Sequence, residues 1–107
     1  MAAGLLLHRQ GHEVVILERF EAPRAIGSGL MIQPTGLAVL EALGLAPALA
    51  SLAAPVRRLF GRAAPSNRVV LDVRYAALGG GAVGLGVHRA ALFAVLHDAV
   101  LQAGVTV

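Results

Sequence analysis

Residues 1–19 read MAAGLLLHRQ GHEVVILER, and this stretch decides the fold. Leu5, Leu6 and Leu7 are followed by the polar His8, Arg9 and Gln10 and then by Gly11, the usual residue for a left-handed helix stop, so Met1 to Gln10 is predicted to be helical. Gly4 stands three residues before Leu7, where a small residue lets a helix pack closely on a sheet. After His12 and Glu13 the run Val14-Val15-Ile16-Leu17 is β-branched and continuously apolar, and ends at Glu18-Arg19. Such a run predicts a strand buried on both faces, as in a parallel sheet. Helix, glycine, buried strand and acid in that order form the second half of a βαβ dinucleotide-binding unit, whose acid accepts hydrogen bonds from ribose hydroxyls. Glu18 fits that role. The glycine-rich turn that cradles the pyrophosphate in such a unit would lie immediately before Met1.

Outward from this unit, Phe20 to Ser28 reads as a loop, Gly29 to Gln33 as a short extended piece, and Thr35 to Leu43 as a helix stopped by Gly44. Ala46 to Ala53 suits another short helix before the break at Pro55. Alternation through Val56 to Tyr75 predicts antiparallel strands, Gly79-Gly80-Gly81 a turn, and Val83 to Val87 a further strand. Arg89 to Ala103 carries apolar residues at 92, 95, 96, 99, 100 and 103, a helical stripe, and Gly104 ends it. Val105-Thr106-Val107 resembles the opening of another strand. The predicted class is therefore α/β: a partial Rossmann-like fold of parallel sheet and helices, with a small antiparallel insertion.

Composition narrows the function. The 107 residues suffice for one domain and its core, and 57 % of them are hydrophobic, with 14 % charged and a mean hydropathy of +0.75, which excludes a disordered tail. The most apolar stretch, Leu30 to Val56, is broken by Gln33, Pro34, Glu41, Pro47 and Pro55, so no run reaches the ~20 residues of a membrane span. Met1 to Leu7 lacks a basic flank and is no signal peptide. All nine cationic residues are arginine, for a net charge of +3, and they are scattered without interleaved aromatic residues, a pattern unlike a nucleic-acid-binding stripe. There is no cysteine, and the four histidines are spread one per element, which argues against thiolate, metal and general-base chemistry.

The string Arg24-x-x-Gly27-x-Gly29-Leu30-x-Ile32-x-Pro34-x-Gly36-x-x-x-Leu40, followed by Leu43-Gly44-Leu45, resembles the matching part of the aromatic-ring hydroxylases. These are flavin-dependent monooxygenases that include salicylate and hydroxybenzoate hydroxylases. Glu18-Arg19 and Val87-His88-Arg89-x-x-Leu92-x-x-x-Leu96 match the same family in order and interval. The resemblance spans residues 1–107 but only about a quarter to a third of a complete member. It implies an incomplete FAD-binding domain from a cytoplasmic enzyme that uses FAD, NAD(P)H and O₂ to hydroxylate a small aromatic molecule. It assigns Glu18 to the adenosine ribose, Arg19 to the adenosine, and Arg24 to the diphosphate and ribitol. Gly27, Gly29 and Leu30 fall where the backbone approaches the isoalloxazine, and Arg89 falls where an arginine contacts FAD. Arg89 also suits an anion on physical grounds, because a cation in the first turn of a helix opposes the helix dipole unless an anion is near. The resemblance assigns no catalytic residue to these 107 positions.

The family's later Asp-Gly and Gly-Asp motifs do not occur in this sequence in their expected setting, and Asp-Gly does not occur in it at all. The 107 residues are therefore expected to be a piece of a longer enzyme, with no flavin colour when purified. Two alternatives stand beside this reading. One is an inactive remnant or small binding module that keeps part of the fold. The other is a piece of a different FAD oxidoreductase, of the geranylgeranyl-reductase or amine-oxidase type, against which the Gly27-to-Leu45 string argues.

Overall fold

The computed structural model describes residues 1–19 and 27–107. Its elements in chain order are helix α1 (Ala2–Arg9), strand β1 (Gly29–Ile32), helices α2 (Pro34–Ala42) and α3 (Ala46–Ala50), strands β2 (Ala53–Val56), β3 (Arg58–Ala63) and β4 (Arg68–Arg74), a 3₁₀ turn (Tyr75–Leu78), strand β5 (Gly84–His88) and helix α4 (Arg89–Gln102). The strands form two antiparallel sheets, β1-β5-β2 and β3-β4. Leu30 and Ala53 flank Val87, and Met31 and Ala54 flank Gly86. Leu30, Ile32, Leu85 and Val87 point to one face of the larger sheet, where they pack with Leu40 of α2, Leu49 of α3 and Leu92 and Leu96 of α4.

A second cluster joins α1 to α4 through Leu5, Leu43, Val100 and Val105, with Val14 and Ile16 against it. Close approach of α1 depends on Gly4: a Cβ there would lie 3.3 Å from Ile16 Cδ1 and 3.4 Å from Val14 Cγ1. The expected apolar stripe of α4 is the buried one, with Val100 fully enclosed. All three predicted helix stops also hold. Gly11, Gly44 and Gly104 each have φ between +73 and +86. Each begins a pair of hydrogen bonds from backbone amides to carbonyls of the last turn, as with the Gly44 amide to Glu41 O (2.9 Å) and the Leu45 amide to Leu40 O (2.8 Å).

Three expectations need correction. The run Val14–Leu17 is not a strand buried on both faces: Val15 is 58 % and Leu17 91 % exposed. Its pairing among the described residues is a single parallel bridge, Val15 to Thr106, with the Ile16 amide donating to Thr106 O at 2.8 Å. Helices cover its Val14 and Ile16 side while the other side is largely exposed, so among the described residues parallel pairing is limited to this one bridge. The sequence reading also extended α3 through Ala53, where the chain forms β2. Ala-Ala-Pro-Val has weak strand preference, but β2 is an edge strand, a place where proline's missing N–H is tolerated. Finally, the arginines are not evenly scattered in space. Arg58, Arg62 and Arg74 share one face of the β3–β4 ribbon, with Arg58 and Arg62 over the Phe60 ring at 4.4 and 5.3 Å. The other face carries Leu59, Leu71 and Val73. This ribbon gives the chain an extended outline, with a radius of gyration of 16.9 Å against about 13 Å for a compact chain of this length.

The ribbon is tied to the body by Tyr75. Its amide donates to Arg57 O at 3.1 Å and its hydroxyl to Gln33 Oε1 at 2.5 Å, at the junction of β1 and α2. The Tyr75 ring is buried over Gly84, where a Cβ would meet it at 3.2 Å.

Candidate functional site

Two corners of the molecule carry the residues singled out from the sequence. At the first, β5 ends in His88 and α4 begins directly at Arg89, so the change from extended to helical backbone places Arg89 in the first turn. That turn contains no acidic residue, and among the described residues no carboxylate pairs with Arg89. Gly29 lies opposite His88 in the antiparallel register, which brings the segment 27–30 alongside. The Arg89 amide donates to Ser28 O at 3.2 Å, and the Arg89 side chain lies against Gly27. Gly27, Gly29, Leu30 and Arg89 are therefore gathered at one corner, although Arg89 lies 60 positions beyond Gly29 along the chain.

Their environments differ. A Cβ at Gly29 would have Val87 O as its nearest neighbour at 3.8 Å, so no described atom of the chain requires glycine there. Leu30 sends its side chain into the core. Beside them, the open face of the sheet presents Gly29, Met31, Gly86, His88 and Ala54 to a groove of about 780 Å³. At Gly29, Gly86 and Ala54 this face carries little or no side chain.

The second corner lies at the end of the extended segment 14–18. Glu18 is exposed, and its Oε1 accepts the Arg19 amide at 2.6 Å. Met1, Ile16, Glu18, Phe93, His97 and Val107 line a small cleft of about 40 Å³. Phe93 and His97 stack with ring centroids 5.5 Å apart and planes 13° from parallel. Arg89, Phe93 and His97 follow one another at helical i, i+4 spacing, so one stripe of α4 runs from the glycine corner to Glu18. Phe93 and His97 were not singled out in the sequence as site residues. Their spacing from Arg89 was the available signal, and it was hidden by the stronger apolar stripe on the same helix. Arg24 lies outside the described residues. Among the described residues there is no cluster of metal-ligating side chains, and no helix is long and apolar enough to cross a membrane.

This arrangement, a helix-packed α/β body with an antiparallel three-stranded sheet opening on a glycine–arginine corner, has the fold of part of an aromatic-ring oxygenase. It superposes on the tetrameric form of 2-methyl-3-hydroxypyridine-5-carboxylic acid oxygenase with a TM-score of 0.79 at 23 % identity, covering 98 % of this chain and 27 % of that one. The Y270A mutant of the same oxygenase superposes with a TM-score of 0.78 over the same shares. In sequence, 60 residues, or 55 % of the chain, are 42 % identical to phenazine 1,6-dicarboxylic acid hydroxylase PhzS of Lysobacter antibioticus. The chain spans about 15 % of that hydroxylase's length. No family model matches the sequence. The resemblance to aromatic-ring hydroxylases thus holds both in sequence and in fold.

Proposed function

We propose that the chain is part of a flavin-dependent monooxygenase that uses FAD, NAD(P)H and O₂ to hydroxylate a small aromatic molecule. The observation that carries this reading is Arg89: a guanidinium in the first turn of a helix, without a described carboxylate partner, beside an open glycine-floored groove. Such a cation is unfavourable at a helix N-terminus until an anion arrives, and its planar fork matches a phosphate. The residues present fit the cofactor in chemistry. An exposed carboxylate ends the segment 14–18, and the space above Gly29 is open.

In this reading Glu18 accepts hydrogen bonds from the adenosine ribose and Arg19 lies along the adenosine. Arg89 donates to a diphosphate oxygen, with Arg24 toward the diphosphate and ribitol. Gly27, Gly29 and the backbone of Leu30 border the flat ring system, since the Leu30 side chain is committed to the core. Bound FAD supplies the redox and oxygen-transfer chemistry, as cofactors in general do, while the protein orients the reactants and excludes water. At Gly86 and Ala54 the groove is lined by little or no side chain, with Met31 beside them.

The test is an NMR titration of the chain with FAD and separately with ADP. The expected result is binding too weak to survive purification, with shifts concentrated at Glu18, Arg19, Gly27 to Leu30 and Arg89. Reading the gene in frame on both sides should also show an upstream Gly-x-Gly-x-x-Gly turn and downstream Asp-Gly and Gly-Asp motifs. Shifts confined to other surfaces, or stop codons on both sides, would overturn the proposal.

A further inference from the structure

We infer that Gly27 is a positioning residue for Arg89: the absence of a side chain at 27 sets where the Arg89 arm lies. Its consequence for cofactor affinity rests on the reading of Arg89 given above, but the geometry stands without it. A Cβ at position 27 would fall 2.8 Å from Arg89 Cδ, 3.3 Å from its Nε and 3.6 Å from its Cβ. Contacts under 3.0 Å cannot be kept, so the arm would have to leave its place. The backbone at Gly27 has φ +135, a conformation that residues with a side chain rarely adopt. The hydrogen bond from the Arg89 amide to Ser28 O, 3.2 Å, ties the start of α4 to the residue next to Gly27. The turn and the helix start therefore hold each other, and the arginine arm runs along the surface that glycine leaves bare.

The two glycines of this corner do different work. At Gly29 a Cβ would make only ordinary contact, at 3.8 Å. At Gly27 the requirement comes from inside the chain. An arginine arm left free samples many rotamers, and a donor fork that is already aimed loses less freedom on binding. Gly27 acts on the cofactor through Arg89, in contrast to a glycine whose only task is to let the backbone approach a flat ring.

A four-member cycle separates these roles: wild type, Gly27→Ala, Arg89→Ala and the double variant. In the cofactor-free chain, ¹⁵N relaxation of the Arg89 Nε–H is expected to show an ordered arm in wild type and an averaged one in Gly27→Ala. In urea, Gly27→Ala should lower the midpoint more in the wild-type background than in Arg89→Ala, where only the backbone strain is left. In titrations with FAD, Gly27→Ala should weaken binding about ten-fold when Arg89 is present and less than about two-fold when it is absent, the coupling expected of residues in contact. Equal losses in both backgrounds would overturn the inference. If wild type binds no FAD, the cofactor reading fails while the relaxation and urea results still decide the positioning role. If neither Gly27 variant folds, a freely averaging Arg89 Nε–H in wild type refutes the inference and an ordered one sustains it.

Discussion

Arg9 closes the end of a helix to which it does not belong, and removing it should loosen the joint between α1 and α2. Helix α2 ends in Ala42, and three of its last carbonyls are taken by amides: Val39 by Leu43, Leu40 by Leu45 and Glu41 by Gly44. The next two, Ala42 and Leu43, accept from Arg9 Nη1 at 2.9 Å and Nη2 at 2.7 Å. A hydrogen bond to a charged group contributes about 1.5–3 kcal/mol. The Ala42 bond is exposed and its carbonyl can turn to water, so it belongs below that range. The Leu43 bond is partly buried and belongs within it. A cation at a helix C-terminus adds about 0.3–1 kcal/mol, offset by a few tenths because alanine is the better helix former.

Arg9→Ala should therefore destabilise the chain by about 2–3 kcal/mol. With a urea dependence of about 1–3 kcal/mol per molar, the midpoint should fall by roughly 0.7–3 M. Hydrogen exchange should accelerate first at the Leu43 to Leu45 amides. Arg9→Lys keeps the charge but loses the fork, and should recover about half of the loss. A midpoint for Arg9→Ala within about 0.5 kcal/mol of wild type would refute the reasoning, because it would mean that water replaces both bonds at no cost.

Three further outcomes are expected. Leu49 is fully enclosed between α3 and the sheet, so Leu49→Ala should cost about 2–5 kcal/mol in urea unfolding, whereas Leu17→Ser, at a side chain 91 % exposed, should stay within about 0.5 kcal/mol. On the ribbon, the hydrogen bonds from Arg58 to Asp72 (2.6 and 2.9 Å), followed by the charges of Arg58 and Arg74, hold the Asp72 carboxyl below its ordinary value. A depressed folded value stabilises the fold above the unfolded pKa and ceases to do so as pH falls through the folded one. The stability gap between wild type and Asp72→Asn should be largest near neutral pH, close in strongly acidic solution, and shrink in high salt because the pair is exposed. A gap unchanged by acid would exclude the pair as its source.

Much of the fold was legible because it depends on neighbours in sequence. The stops at Gly11, Gly44 and Gly104 follow from the local need for left-handed backbone, and the α4 stripe follows from helical periodicity. Strand β2 was not legible, since Ala53–Val56 becomes a strand only by pairing with β5. Tyr75 and Gln33 lie 42 residues apart and carry no shared motif, so their hydrogen bond could not be foreseen. Of the candidate site, Glu18, Gly27, Gly29 and Arg89 are proposed from spacing and resemblance, and the structure brings Gly27, Gly29 and Arg89 to one corner. The Phe93–His97 stack beside Glu18 came from the tertiary arrangement.

By itself the sequence determined the alternation of helices and extended segments, the acid at the end of Val14–Leu17 and the arginine that opens α4, because each is set by residues within a turn or two. The tertiary structure alone decided which faces are covered. Val14 and Ile16 pack against α1 and α4, while the Val15 and Leu17 side chains stay largely exposed. It also decided that Gly27 and Arg89 touch. Antiparallel pairing of β1 with β5 carries the two together, and contact between atoms so far apart along the chain is a property of the pairing register, which no local pattern encodes.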